Sequence, residues 1–213
     1  MIYKDFHYER LDLEKSKSIL NKIIFDFKNA DSAKIQIEAI KEVDGFSREY
    51  MTYQAMASLN YSRDINDDSA KNEKDYYDSI STDMREIYDR FDKVLHQSKF
   101  KSEIIDMFGD TFLNQIEINL KTFDSKIKGM LKEEIELKNE YTELTPAAKI
   151  EFEGKEYNLA GLGPFHSNVN RSVRKESYEA RFSWFKSNED ELDNIYDKLV
   201  NLRHKIAVTL GYN

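Results

Sequence analysis

The sequence predicts a mainly α fold: a long antiparallel helical hairpin with further helices, and one small β-hairpin near 148–159. Three observations carry that reading. Charged residues make up 34% of the 213 and hydrophobic ones 40%, against roughly 25% and 45–50% in an average domain. Only 7 Gly and 2 Pro punctuate the backbone, so breakers are scarce. Apolar residues recur by threes and fours over two consecutive stretches, then switch to a period of two near residue 148. Many charges with few breakers describe amphipathic helices that bury one stripe and solvate the rest. The 13 Tyr and 13 Phe supply too much buriable surface for a polar disordered chain. The length suits one substantial core, or one core with an extended arm.

Asp12 is placed to cap a first helix carrying Leu13, Leu20, Ile23, Ile24 and Phe27 on one side. A second helix should begin near Ser32, with Ala39, Val43, Phe46, Tyr50, Tyr53 and Ala57 as its stripe. Beyond the polar segment from Ser62 to Asp68 the pattern resumes at Tyr77, Ile80, Met84, Ile87, Phe91 and Val94. Alternating steps of three and four keep one seam facing a partner. Two such helices joined by one turn fold back on each other, with arms of roughly 40 Å at 1.5 Å per residue.

Shorter helices are expected near Lys101–Phe108, ahead of Gly109, and near Asp110–Lys121. Another should run from about Ser125 to Leu144, since Thr145 precedes Pro146 and is steered away from helical geometry. Ala148, Ile150 and Phe152 then alternate with Lys149, Glu151 and Glu153. A turn at Glu153-Gly154 sets Ile150 opposite Tyr157 and Ala148 opposite Leu159. A lone hairpin is marginal in water, so its apolar face must rest on helices. Helix returns around Arg171–Lys186. A last helix opens at Asn188, which with Glu191 resembles a capping box, and its stripe is Leu192, Ile195, Tyr196, Leu199, Leu202, Ile206 and Leu210. Gly211 sits where a left-handed cap is wanted.

The net charge of −8 argues against a nucleic-acid partner, which needs clustered Lys and Arg. Arg171, Arg174, Lys175 and Arg181 are followed by Glu189, Asp190 and Glu191 and read as a salt-bridged helix face. No apolar run approaches membrane-spanning length, and the first twenty residues are charged throughout, so neither a membrane partner nor a secretory leader is expected. With no Cys, disulfides and thiolate-bound metals are excluded, and a cytoplasmic location fits.

Candidate chemistry is sparse. A hydrolytic zinc site commonly uses two His four residues apart on one helix, with a Glu between them as base. His7, His96, His166 and His204 offer no such pair, and His204 lies between Arg203 and Lys205. Each reads as a surface or locally bonded imidazole. Asp64-Ile65-Asn66-Asp67-Asp68 begins like a calcium loop with Asp75 at its twelfth place. Ser69, however, stands where that loop turns on Gly, and the twelfth ligand should be Glu; loop-tip acids solvating a helix–helix turn are the plainer reading. Glu133-Glu134-Ile135-Glu136 reads as a solvated face. Trp184, amid Phe182, Ser183 and Phe185, reads as core rather than a binding surface. No catalytic, cofactor-binding or metal-ligating residue is expected in this chain.

An ordered series of segments nonetheless carries a resemblance. YERLDLEKSKSILNKIIFDFKNADSAKIQIEAIKEVD opens it, SRDINDDS and LKTFDSKI follow, then AAKIEFEGKEYNLAGL through ESYEARFSWF, and ELDNIYDKLVNLRHKIAVTLGY closes it. Together they resemble the oligoendopeptidase F family of zinc metallopeptidases, relatives of thimet oligopeptidase. The resemblance implies a largely helical protein whose two halves flank a narrow channel and cleave short peptides. There zinc polarises the scissile carbonyl and activates water, with a Glu as general base. It divides the chain into a helical region at 1–112, an oligoendopeptidase F-type N-terminal domain at 113–183, and the opening helix of the catalytic domain at 184–213.

The family's His-Glu-x-x-His helix lies well downstream of the segments matched, and its zinc ligands, base and transition-state-stabilising residues have no matching positions here. None is carried over. The expectation is an N-terminal fragment of a zinc oligoendopeptidase, forming one wall of the channel and inactive alone. Its partners would be the oligopeptide substrate and the missing C-terminal catalytic half, and zinc would belong to the full-length family, not to this chain. An apolar patch should lie exposed where that half docks, and it offers a route to self-association. A stand-alone helical interaction module, or one subunit of a split peptidase, are the alternatives.

Overall fold

The computed structural model describes residues 7–212; the chain's opening as far as residue 6, part of the charged stretch read as lacking a leader, lies outside them. The described residues up to Lys128 form one unit and those from Gly129 onward a second.

In the first unit, α1 (Leu13–Asn29) starts where Asp12 Oδ1 accepts from the Lys15 N–H at 2.8 Å. That bond satisfies one of the donors a helix start leaves orphaned. Leu20, Ile23 and Phe27 are buried on one face, while Ile24 is half-buried. α2 (Ala33–Arg63) begins after Ser32, whose hydroxyl makes no capping bond. α3 (Asp68–His96) follows, capped by Asp67 Oδ1, which accepts from the Ser69 and Ala70 N–H groups. With 31 and 29 residues, the two arms are about 46 and 44 Å long at 1.5 Å per residue. Both run further into the polar segment than expected: Ser62, Arg63 and Asp68 are helical, leaving a turn of residues 64–67.

The hairpin does not stand alone. α1 packs against both α2 and α3, so α2 has two partners and needs a wider stripe than a two-helix seam. Ile40 and Met56 accordingly join Ala39, Val43, Tyr50 and Ala57 among the buried residues. On α3 the buried positions run Tyr77, Ile80, Met84, Ile87, Phe91 and then Leu95, which is fully enclosed; the expected Val94 is only half-buried. A straight helix drifts away from a strict heptad, and the last step is four where the coiled-coil reading wanted three. Phe27 meets Phe91 edge to face with ring centroids 5.3 Å apart. Burying a side chain of that size stabilises by about 1.5–3 kcal/mol. α4 (Lys101–Phe108) packs on α2, and α5 (Asp110–Lys121) on α3, with Gly109 between them at φ +84°.

Two polar ties fasten this core. Buried Gln36 donates from Nε2 to the Phe27 carbonyl at 3.0 Å and accepts the Ser98 hydroxyl on Oε1. Near the start of the chain, Arg10 grips Glu73 with Nε at 3.0 Å and Nη2 at 2.5 Å, and the Tyr8 hydroxyl donates to the same carboxylate. Arg10 holds Glu73 below the ordinary glutamate range, with Tyr8 assisting and burial opposing. A 3-10 turn (Ser125–Ile127), capped by Asp124, precedes α6 (Lys128–Leu144), so the helix expected from Ser125 opens with a tighter turn.

The second unit is built around the hairpin. β1 (Ile150–Phe152) and β2 (Lys155–Tyr157) pair antiparallel with Ile150 opposite Tyr157, the register expected. Glu153 and Gly154 both take positive φ, 49° and 75°, as a two-residue type I′ turn demands. Ala148 and Leu159 lie beyond the ladder, yet both are buried in one cluster with Ile150, Phe152 and Leu162. That cluster rests on Val173, Ala180, Trp184 and Phe185 of α8 (Arg171–Ser187) and on Phe165 of the one-turn α7 (Gly163–His166). α7 was not anticipated: four residues are too few to show a period.

The junction of α8 with α9 (Glu189–Thr209) corrects one expectation. Asn188 makes no capping bond to α9; its Nδ2 donates backward to the Trp184 carbonyl at 2.8 Å. With no spacer between the helices, the side chain is used on the carbonyls that α8 leaves free. Gly211 does take the left-handed cap, at φ +88°, with the Gly211 and Tyr212 N–H groups returning to Val208 and Ala207. Ile195 and Leu202 are buried, but Tyr196, assigned to the same stripe, is 66% exposed. Arg203 Nε reaches Glu134 of α6 at 2.9 Å.

Candidate functional site

The first unit holds a cavity of about 550 Å³ lined by α2, α3 and α5. Buried Ile40, Met84, Phe91, Leu95 and Ile116 make its floor; Asp44, Met51 and Gln115 stand exposed at its rim. All of these residues sit on helices, so the cavity is held by regular backbone and not by loops.

Its polar lining comes from all three helices, with two carboxylates, Asp89 and Asp92, on α3. Asp89 and Asp92 are three residues apart and so share a face. Asp89 is 5% exposed, binds Lys93 Nζ through Oδ2 at 2.6 Å, and leaves Oδ1 buried with no hydrogen-bond partner. Asp92 accepts from Asn119 Nδ2 at 3.2 Å. Burial pushes its carboxyl up to about 6, with nearby Asp89 adding to the rise and Asn119 and Arg85 opposing it. The Tyr88 hydroxyl is buried without a partner at bonding geometry, although Ser47 lies beside it; burial raises this phenol to about 12. A raised carboxyl pKa within an apolar recess is a feature functional sites share, and structural carboxylates can show it too.

The residues singled out in the sequence do not converge. His7 and His204 are exposed, and His96 Nε2 lies 3.5 Å from Glu117. His166 stacks on Tyr178 at 4.3 Å and keeps Nε2 buried and unpartnered. Among the described residues no group of three or more His, Asp or Glu side chains is arranged to hold a metal. Asp64 and Asp67 direct their oxygens to backbone N–H groups of their own turn, which is capping chemistry. Glu134 is taken by Arg203.

The basic run is structural as well as solvated. Arg174 donates to the Asn168 and Val169 carbonyls, Arg181 reaches the Leu159 carbonyl, and Lys175 pairs with Glu179. Trp184 does pack into the hairpin cluster, meeting Phe185 edge to face. Phe182, grouped with it from sequence, is 60% exposed, and so are Val169, Tyr178, Tyr196, Val200 and Val208 in large part. The cavity carboxylates Asp89 and Asp92 were not singled out in the sequence. An Asp on an amphipathic helix looks like any solvated face, and only the packing of α5 encloses them. Among the described residues no helix is long and apolar enough to cross a membrane.

Comparison with known proteins gives this architecture a family. Residues 3–123 match the model of the peptidase M3 N-terminal domain. Similar in structure are a protein provisionally named oligoendopeptidase F, 35% identical with a TM-score of 0.95, and PZ peptidase A solved with an inhibitor, 34% identical with a TM-score of 0.95. The match covers 100% and 99% of this chain, respectively, and 38% of each of those two. An oligoendopeptidase F from Enterococcus faecium shares the fold at 15% identity, with a TM-score of 0.67, over 94% of this chain and 44% of its own. No curated protein matches. The chain spans about two fifths of the length of the first two proteins it resembles. It belongs to the peptidase M3 family, as an N-terminal portion of an oligoendopeptidase F-type peptidase.

Proposed function

We propose that this chain supplies the non-catalytic N-terminal portion of an enzyme that hydrolyses oligopeptides by metal-assisted attack of water. The single observation that carries this reading is the coverage: TM-scores near 0.95 over the whole chain, but only 38% of the similar peptidases. The chemistry is assigned to the remainder of such a protein, where zinc would polarise the carbonyl and activate water. What this chain's own residues do is shape and support. The helices build one wall of a channel narrow enough to exclude folded proteins, and α9 opens the catalytic domain. A cytoplasmic location belongs to the same reading.

The exposed apolar side chains of the second unit support it. Tyr178 and Phe182 on α8, and Tyr196, Val200 and Val208 on α9, are each 46–66% exposed. Apolar faces left open on this scale mark interfaces, and further polypeptide of the same protein is the occupant proposed. The test is hydrolysis of an internally quenched oligopeptide by the 213-residue chain, with zinc, alone and mixed with a polypeptide spanning the remaining portion of a similar peptidase. The expected result is no turnover alone and turnover on mixing. Stoichiometric zinc with sustained cleavage by the 213-residue chain alone would overturn the proposal.

A further inference from the structure

The α2–α3–α5 cavity has a chemistry of its own, independent of the peptidase reading. The carboxylates on its wall differ in how they are partnered. Asp44, at the rim, is held by Arg48 at 2.5 Å. Asp89 is neutralised by Lys93 through one oxygen only, and its other oxygen is enclosed with no partner. Asp92 has the Asn119 amide and forms no ion pair among the described residues. Arg85 lines the same cavity but is engaged elsewhere: it donates to Thr122 Oγ1 at 3.2 Å and lies 5.7 Å from the centre of the Phe123 ring. A carboxylate in an apolar recess gains from a cation brought beside it.

We propose that this cavity binds a primary ammonium carried on an apolar or aromatic body, with Asp92, the cavity carboxylate that no cation pairs among the described residues, as counter-ion. An ammonium brings three donors and no acceptor, which suits a carboxylate with no cation beside it in an ion pair. The floor of Met84, Phe91 and Ile116 would cover the apolar body. The volume of about 550 Å³ lies within the roughly 300–1,000 Å³ of small-ligand pockets. A bare metal ion would leave that apolar volume unfilled, and no set of three ligating side chains converges here among the described residues. An anion would face carboxylates. Two sources share this chemistry, a free arylalkylamine and the lysine side chain of a peptide.

The experiment is calorimetric titration of the 213-residue chain at neutral pH with 4-phenylbutylamine, with its uncharged analogue 4-phenylbutanol, and with acetyl-Phe-Lys-amide. The amine should bind about 10-fold or more tightly than the alcohol, the usual scale for a bond to a charged group. Asp92→Asn should abolish that preference while leaving the alcohol unchanged. Tighter binding of the dipeptide than of the amine assigns a peptide lysine as the source; weaker binding assigns a free amine. Equal affinity for amine and alcohol, no heat from either, or an unchanged preference in Asp92→Asn would overturn the proposal. Should Asp92→Asn fail to fold, Ser47→Leu at the cavity wall must weaken amine and alcohol alike without shifting the melting temperature. Undiminished binding in that variant overturns the site equally.

Discussion

The two units of this chain bury their apolar residues by different means. In the first, α1, α2 and α3 enclose a continuous core from Leu20 to Leu95, joined by Ile104 and Ile116 of the short helices. In the second, a two-stranded hairpin and one face of α8 make a cluster with five buried members, while α8 and α9 leave large aromatic and aliphatic side chains in water. A core that closes on itself supplies its own cooperativity. A small cluster flanked by open apolar faces supplies less. The difference separates a closed core from one that leaves apolar faces open.

The largest effect that would sharpen this contrast is expected from Leu95→Ala, because the side chain is fully enclosed between helices that cannot collapse around the gap. It should cost about 3 kcal/mol, read as a fall in the denaturation midpoint of the first unit. Hydrogen exchange would show whether the second unit's amides stay protected or open independently. A unit with its own core should be insensitive to damage in the other.

Next is Asp92→Asn, with the opposite sign. Burial lifts this carboxyl from 3.8 to about 6, so the fold prefers its protonated form. Its penalty is absent below the unfolded pKa and grows as pH rises through about 6. The variant should therefore be more stable than the parent by about 2 kcal/mol near pH 8, with the gain vanishing near pH 4. Stability profiles of the two proteins against pH would check it, and a gain that persists in acid would break the assignment.

A smaller loss is expected from Gly154→Ala in the second unit. At φ +75° a Cβ is strained by about 1 kcal/mol, although nothing crowds the position itself. Smallest of all, Phe182→Ser and Tyr196→Ser should change the stability of the chain alone by less than about 0.5 kcal/mol. If the open faces are interfaces, the same two changes should weaken association with the remaining portion of the enzyme. Loss of stability without any partner would mean these side chains are already packed.

How much of the molecule was legible depends on how local each signal is. The Asp12 cap, the helix stripes, the Gly211 cap and the Ile150–Tyr157 register depend on neighbours within a few residues, and periodicity exposes them. The placing of α1 against both hairpin arms depends on contacts between separate helices, those to α3 about 60 residues apart, so Ile40, Met56 and Leu95 fell outside stripes drawn for two helices. Asn188 was misread because the same side chain can serve the helix before it or the helix after it. The Asp89–Asp92 cavity left no trace in the sequence, since its meaning arises only when α5 closes over α3.

Gln36 has a consequence for how the long helices find their alignment. Its amide joins the end of α1 to Ser98, just past α3, through one buried bond and one part-buried bond. Apolar seams tolerate sliding by a turn, because one leucine replaces another; an enclosed amide does not, since every shifted alignment strands its donor and its acceptor. One polar residue thus serves as a detent that selects a single mesh of three helices from several of nearly equal greasiness.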